Sequence, residues 1–157
     1  MLILDRSDFR GLYAITFPKV NDADIVVEEV LEVIERRYLV KLLGSELFAE
    51  LQSDPNDSKF ADLFKPLQEN NYYSDGLKEV LKVFVYIDYQ RKNHVMSTEN
   101  GRVVKDSSTG TYTSAYVRDV LSYNLAVDGW KAIQRYCRKN KDLRNKFRGD
   151  DLHYIFY

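Results

Sequence analysis

One helix sets the terms for this chain. From Gly76 to about Val95 the apolar residues fall on more than one helical face. Leu77, Leu81 and Phe84 form a row that ends in Asp88; Val80, Val83, Phe84 and Ile87 form a second, and Val85 and Tyr89 sit on a third side. A helix lying on the outside of a core needs one apolar stripe. A surface this wide needs partners from several directions, so the segment predicts the central helix of a bundle.

The flanking sequence supplies the partners. Asn21 or Asp22 is placed to cap a first long helix, and Asp24 puts negative charge near its N-terminus. Ile25, Val26, Val30, Val33, Ile34, Tyr38 and Leu42 then recur at steps of three and four. Gly44 reads as the left-handed residue that ends it. Ser45 opens a short continuation that turns Leu47, Phe48 and Leu51 inward, and Asp54–Pro55–Asn56–Asp57 is a turn. Ser58 is expected to cap a short helix carrying Phe60, Leu63, Phe64 and Leu67, with Pro66 limiting its length. Asn70–Asn71 is a loop, and Ser74 or Asp75 caps the central helix.

A last long helix is expected over about Ala115–Lys139, capped by Thr113 or Ser114, with Val117, Val120, Leu121, Leu125, Val127, Ile133 and Tyr136 on its core face. Gly129 would let a neighbouring helix come close. Between the two long helices, residues 97–113 hold few core formers. Two β-like pieces, Arg102–Lys105 and Thr109–Thr113, flank Asp106–Ser107–Ser108 and suggest a hairpin. An isolated two-stranded hairpin is marginal in water and wants a partner surface. The expected fold is mainly α: a bundle of about four main helices with a β-hairpin-like loop between the last two and extended arms at both ends. It divides into an N-terminal arm (1–21, with at most one short helix), a helical domain (22–140, with the hairpin loop at 97–113) and a C-terminal tail (141–157).

Chemistry is harder to find. His94 and His153 have no metal-ligand spacing around them. The phosphate-cradling and nucleophile-elbow motifs are missing from the sequence. Glu28, Glu29, Glu32 and Glu35 read as a solvated helix face, and Asp88 as a partner for Arg91 or Lys92 one turn away. No catalytic residue, metal ligand or cofactor is assigned, and the chain is read as a binding protein rather than an enzyme. Cys137 stands alone, which excludes an internal disulfide; a buried, inert thiol is expected. Residues Met1–Arg6 do not resemble a signal peptide, and no apolar run reaches the ~20 residues that cross a bilayer. A net charge of −1 argues against a general nucleic-acid binder. A local basic run remains at Arg135, Arg138, Lys139, Lys141 and Arg144, continued by Lys146 and Arg148. The 12 tyrosines suit either an interface or a tyrosine-rich core.

The order of elements carries a resemblance. A long helix ends in Tyr38–Leu39–Val40–Lys41–Leu42–Leu43–Gly44–Ser45–Glu46–Leu47–Phe48. The central helix begins Gly76–Leu77–Lys78–Glu79–Val80–Leu81, and its end at Gln90–Val95 is followed by Gly101–Arg102–Val103–Val104–Lys105. From about residue 22 to 140 this resembles the head-to-tail connector (adaptor or neck-ring) proteins of tailed bacteriophages, most closely those of phages infecting Bacteroides-type hosts, including the crAss-like phages. The resemblance implies a structural virion protein located in the neck and assembled in the host cytoplasm. It implies a ring, usually of about twelve copies, built by heterologous contacts that close on themselves. Its partners would be further copies of itself, the portal protein and a further neck or tail protein. DNA would pass through the channel without sequence-specific binding, and neither a membrane nor a cofactor is involved.

On this reading Arg102, Val103, Val104, Lys105 and Tyr112 form a subunit-interface loop. Leu152, Tyr154, Ile155, Phe156 and Tyr157 form a tail that docks on a partner, with the charged stretch Lys139–Asp151 as its spacer. The basic run faces DNA or acidic groups. The alternatives are a non-viral helical interaction adaptor that binds through the aromatic tail, and a small nucleic-acid-binding protein that uses the basic run.

Overall fold

The computed structural model describes residues 1–15, 21–93, 95–98, 101–104 and 112–155, with side chains over 1–15, 27–91 and 117–155. The chain is mainly helical. Its helices are α1 (Asn21–Leu43), α2 (Ser45–Ser53), α3 (Leu77–Asn93) and α4 (Tyr112–Lys139). Two hairpins accompany them, β1 (Leu67–Glu69) with β2 (Tyr72–Ser74) and β3 (Val95–Thr98) with β4 (Gly101–Val104).

Helix α3 is the central element, as its wide apolar surface requires. Leu77, Val80, Leu81, Phe84, Val85 and Ile87 are all buried. It runs antiparallel to α1 and α4, and an aromatic cluster ties the three helices together. Phe84 stacks on Tyr38 of α1 with ring centroids 5.1 Å apart. It meets Tyr123 and Trp130 of α4 edge-on, each at 5.4 Å. Part of the tyrosine enrichment is therefore core. Gly129 brings α3 and α4 close: a Cβ there would lie 2.5 Å from Val80 Cγ2. Cys137 is fully buried, which pushes its thiol up to about 12.

Three apolar residues expected in the core are on the surface. Val33 is 65% exposed, Leu121 50% and Leu125 71%. The buried stripe of α4 includes Val120, Val127, Trp130, Ile133 and Cys137. A residue one step round that stripe keeps the period but faces out.

Gly44 joins α1 to α2 at φ 88°, ψ 162°. Its φ is positive, as the sequence suggests, but its ψ is extended rather than left-handed helical. Its N–H donates to the Val40 carbonyl at 2.9 Å and its own carbonyl accepts from Phe48 N–H at 3.0 Å. One residue thus closes α1 and opens α2, in a conformation essentially confined to glycine.

Three caps differ from expectation. Asp57, not Ser58, caps the 3-10 helix Ser58–Phe64, its carboxylate accepting the Lys59 N–H at 3.0 Å. Ser74 Oγ accepts the Gly76 N–H at 3.1 Å but sits in β2 and stabilises the approach to α3 rather than its first turn. Where a cap was expected at Thr113 or Ser114, α4 has already begun at Tyr112.

The β-structure is shifted and doubled. Strand β4 contains the expected Arg102–Val104, but its partner is Val95–Thr98, paired Val95↔Val104 through Thr98↔Gly101. Residues 99–100 and 105–111, the expected Asp106–Ser108 turn among them, lie outside the described residues. The β1–β2 hairpin was not expected. It closes around Asn70–Asn71 with Leu67↔Ser74 in register, and Asn70 takes φ 57°. Two short strands of mixed polarity carry little periodic signal, so only the loop between them was legible.

Neither terminal segment is a free arm. The N-terminal segment forms 3-10 turns at Arg6–Asp8 and Gly11–Tyr13 and buries Leu4, Phe9 and Ile15 in the core. Beyond α4 the chain folds back. Leu143 and Phe147 are buried, Arg148 N–H donates to the Leu43 carbonyl at 3.1 Å, and Asp150 N–H donates to the Lys41 carbonyl at 2.6 Å. Residues 148–150 thereby satisfy carbonyls that the C-terminus of α1 would leave unpaired.

Candidate interaction surfaces

The expected interface loop divides between two elements. Arg102, Val103 and Val104 lie on β4, Lys105 is outside the described residues, and Tyr112 is the first residue of α4. The β3–β4 hairpin continues from the end of α3, and its principal contacts are between its own strands and with that helix.

The tail does not leave the domain. The stretch expected to act as a spacer is the one packed on the end of α1. Leu152 and Tyr154 pack against the core. Tyr154 OH donates to Asp128 Oδ1 at 2.6 Å, and its ring lies 3.9 Å from Lys131 Nζ. Burial, aided by the Asp128 hydrogen bond, pushes the Tyr154 phenol up to about 12. Ile155 is held at both backbone groups: its N–H donates to Asn124 Oδ1 at 2.9 Å, and Asn124 Nδ2 donates to its carbonyl at 2.8 Å. The tail as far as residue 155 is therefore a strap along α4 of its own chain, while Phe156 and Tyr157 lie outside the described residues.

The basic run is partly neutralised from within. Lys139 pairs with Glu69, and Lys146 with Glu50. Arg138 lies 3.5 Å from Asp151 and over the Phe147 ring. Arg135 stacks on Tyr72 at 4.4 Å. Lys141 and Arg144 are exposed. A cleft of about 270 Å³ gathers Lys131, Arg135 and Arg138 beside Tyr72, Gln134 and the strap. Gln134 is fully buried, and its Nε2 donates to the Asp150 carbonyl at 2.7 Å.

Two acidic residues have roles that sequence spacing hid. Asp88 pairs with Arg37 of α1, a partner on another helix, while the Lys92 side chain lies outside the described residues. Glu35, expected on a solvated face, is 1% exposed. Its Oε2 accepts the Leu2 N–H at 2.7 Å, and its Oε1 accepts the N–H groups of Ile3 at 2.8 Å and Leu4 at 2.7 Å. Nearby, Glu28 pairs with Arg6. The first turn of the chain is thus clamped onto α1. Among the described residues no group of His, Cys, Asp and Glu is arranged to hold a metal ion. No helix among them is long and apolar enough to cross a membrane.

The profile of DUF6712, a family of unknown function, matches residues 39–142, more than half of the chain. The match takes in the end of α1, both hairpins, α3 and α4. No curated protein and no solved structure matches the chain.

Proposed function

The chain belongs to DUF6712, and we propose that it is a structural virion protein, a head-to-tail connector subunit that assembles into a ring between portal and tail around the DNA channel. The observation that carries this reading is the β3–β4 hairpin. Two four-residue strands extend from the end of a rigid helix and find their main contacts in each other and that helix. Such a hairpin gains order from a neighbour, either by packing on it or by adding a strand. Three packed helices that carry such a hairpin are suited to repetitive heterologous assembly, in which each hairpin lies on the next copy. The near-neutral charge suits a channel that lets DNA slide.

The partners on this reading are further copies of the chain, the portal and a further neck or tail protein. Quantitative mass spectrometry of purified virions tests it. The expected result is this chain present in the same copy number as the portal, or in a simple ratio to it. Absence from purified particles would refute the assignment.

A further inference from the structure

We infer that neighbouring copies are joined by a charge contact in which Glu29 and Glu32 of α1 enter the basic cleft formed by Lys131, Arg135 and Arg138 of the next copy's α4. The inference rests on the ring reading and names a second contact between neighbouring copies, beside that of the β3–β4 hairpin. Lys131 and Arg135 crowd over the same Tyr72 ring, at 5.4 and 4.4 Å. Among the described residues lining that cleft, Asp151 supplies the carboxylate, and it sits 3.5 Å from Arg138. Lys131 and Arg135 therefore face the cleft without a carboxylate partner among the described residues. A pair of cations one helical turn apart is relieved by an incoming anion.

The complementary surface is on the same chain. Glu29 and Glu32 are exposed, on a concave face where Glu28 is already held by Arg6. Glu32 lies 3.7 Å from the Met1 amine yet keeps its side chain 64% exposed, and Arg10 lines the same face. Val33, 65% exposed, adds an apolar contact beside the two carboxylates.

The two surfaces cannot serve each other within one chain. Tyr38 meets Trp130 and Gln134 reaches the Leu42 carbonyl, so the cleft is level with the C-terminal end of α1. At 1.5 Å per residue, Glu29 and Glu32 lie roughly 10–20 Å further along the helix. That is about a Debye length or more at 0.1 M salt, so neither surface screens the other. Displaced, complementary patches on one chain are the requirement for head-to-tail association.

The test uses the full chain in sedimentation velocity, with circular dichroism to confirm folding. Four proteins are compared: wild type, Lys131→Glu with Arg135→Glu, Glu29→Lys with Glu32→Lys, and all four substitutions together. Each reversed pair is expected to raise the concentration for half-assembly by about tenfold or more, and the fourfold variant to restore it, because like charges juxtaposed at an interface repel strongly. Raising sodium chloride from 0.1 to 1 M should also weaken wild-type assembly.

A fourfold variant no better than either pair would overturn the contact. Assembly in all four proteins at equal concentrations would overturn the contact and leave the ring standing. Rescue in a species that stops at two copies would keep the contact and remove the ring. A wild-type chain that stays monomeric would remove both. Lost, salt-sensitive binding to a 20-base-pair DNA duplex with unchanged assembly would make the cleft a nucleic-acid site instead.

Discussion

Glu35→Gln tests how the first residues are held. The glutamate accepts three backbone N–H groups, from Leu2, Ile3 and Leu4, at 2.7–2.8 Å. The substitution keeps shape and volume but leaves one accepting oxygen and turns the other position into a donor. Bonds to a charged acceptor contribute about 1.5–3 kcal/mol each and neutral ones about 1. The bonds at Oε1 therefore survive in weaker form, and the Leu2 N–H faces another donor. That group is only part-buried, so water offsets some of its loss. The sum is roughly 2–4 kcal/mol of destabilisation, or about 6–12 °C in melting temperature for its midpoint at this chain length.

Urea unfolding measures the energy, and amide hydrogen exchange at residues 2–4 locates it. The wild-type amides should be protected and those of the variant should exchange much faster. A stability change under about 0.5 kcal/mol, or wild-type amides at residues 2–4 that exchange freely, would refute the clamp.

Other outcomes follow from the same geometry. Gly44→Val meets both a positive φ and the Arg148 backbone and Cβ, 2.9 Å from where its Cβ would sit, so thermal unfolding should show a loss of at least ~2 kcal/mol. Removing Leu152–Tyr157 takes away the Asn124 and Asp128 contacts and should lower the melting temperature of the isolated monomer; an unchanged value would return the tail to a partner-docking role. Glu50 is held below the usual carboxylate range by Lys146 and then Lys59, and Asp57 by the backbone N–H and side chain of Lys59. A depressed carboxylate stabilises above its unfolded pKa and loses that contribution as pH falls through its folded value. Urea midpoints should therefore drop below about pH 4, and Glu50→Gln should flatten that dependence.

What could be read from residues alone was whatever repeated along a helix. The central place of α3 followed from apolar rows on three sides, and the closeness of α4 from Gly129. The period could not say how wide the buried stripe of α4 is, which is why Leu121 and Leu125 were placed inside. Val95 continues the apolar phase of α3, so the start of β3 was absorbed into the helix and the strand character of Val95–Thr98 went unread. The Asn70–Asn71 pair between Leu67–Glu69 and Tyr72–Ser74 was a hairpin signal of the two-residue kind, and could have been used.

The candidate surfaces were less legible. Glu35 shares the spacing of Glu28 and Glu32, and only the arrival of backbone amides from more than 30 residues away distinguishes it. The strap depends on Asn124 and Asp128, two polar residues on a helix that carry no mark of what they will hold. An aromatic chain end does say that it must dock, but not on what.

The claim most directly open to measurement is that the β3–β4 hairpin joins copies into a ring. Mass photometry should compare the full chain with one in which residues 95–104 are replaced by a short glycine–serine link. Wild type should form a closed species of about twelve copies, and the variant should remain a folded monomer with an unchanged melting temperature. A variant that assembles as wild type does, or a wild-type chain that is monomeric at every concentration, would contradict the account.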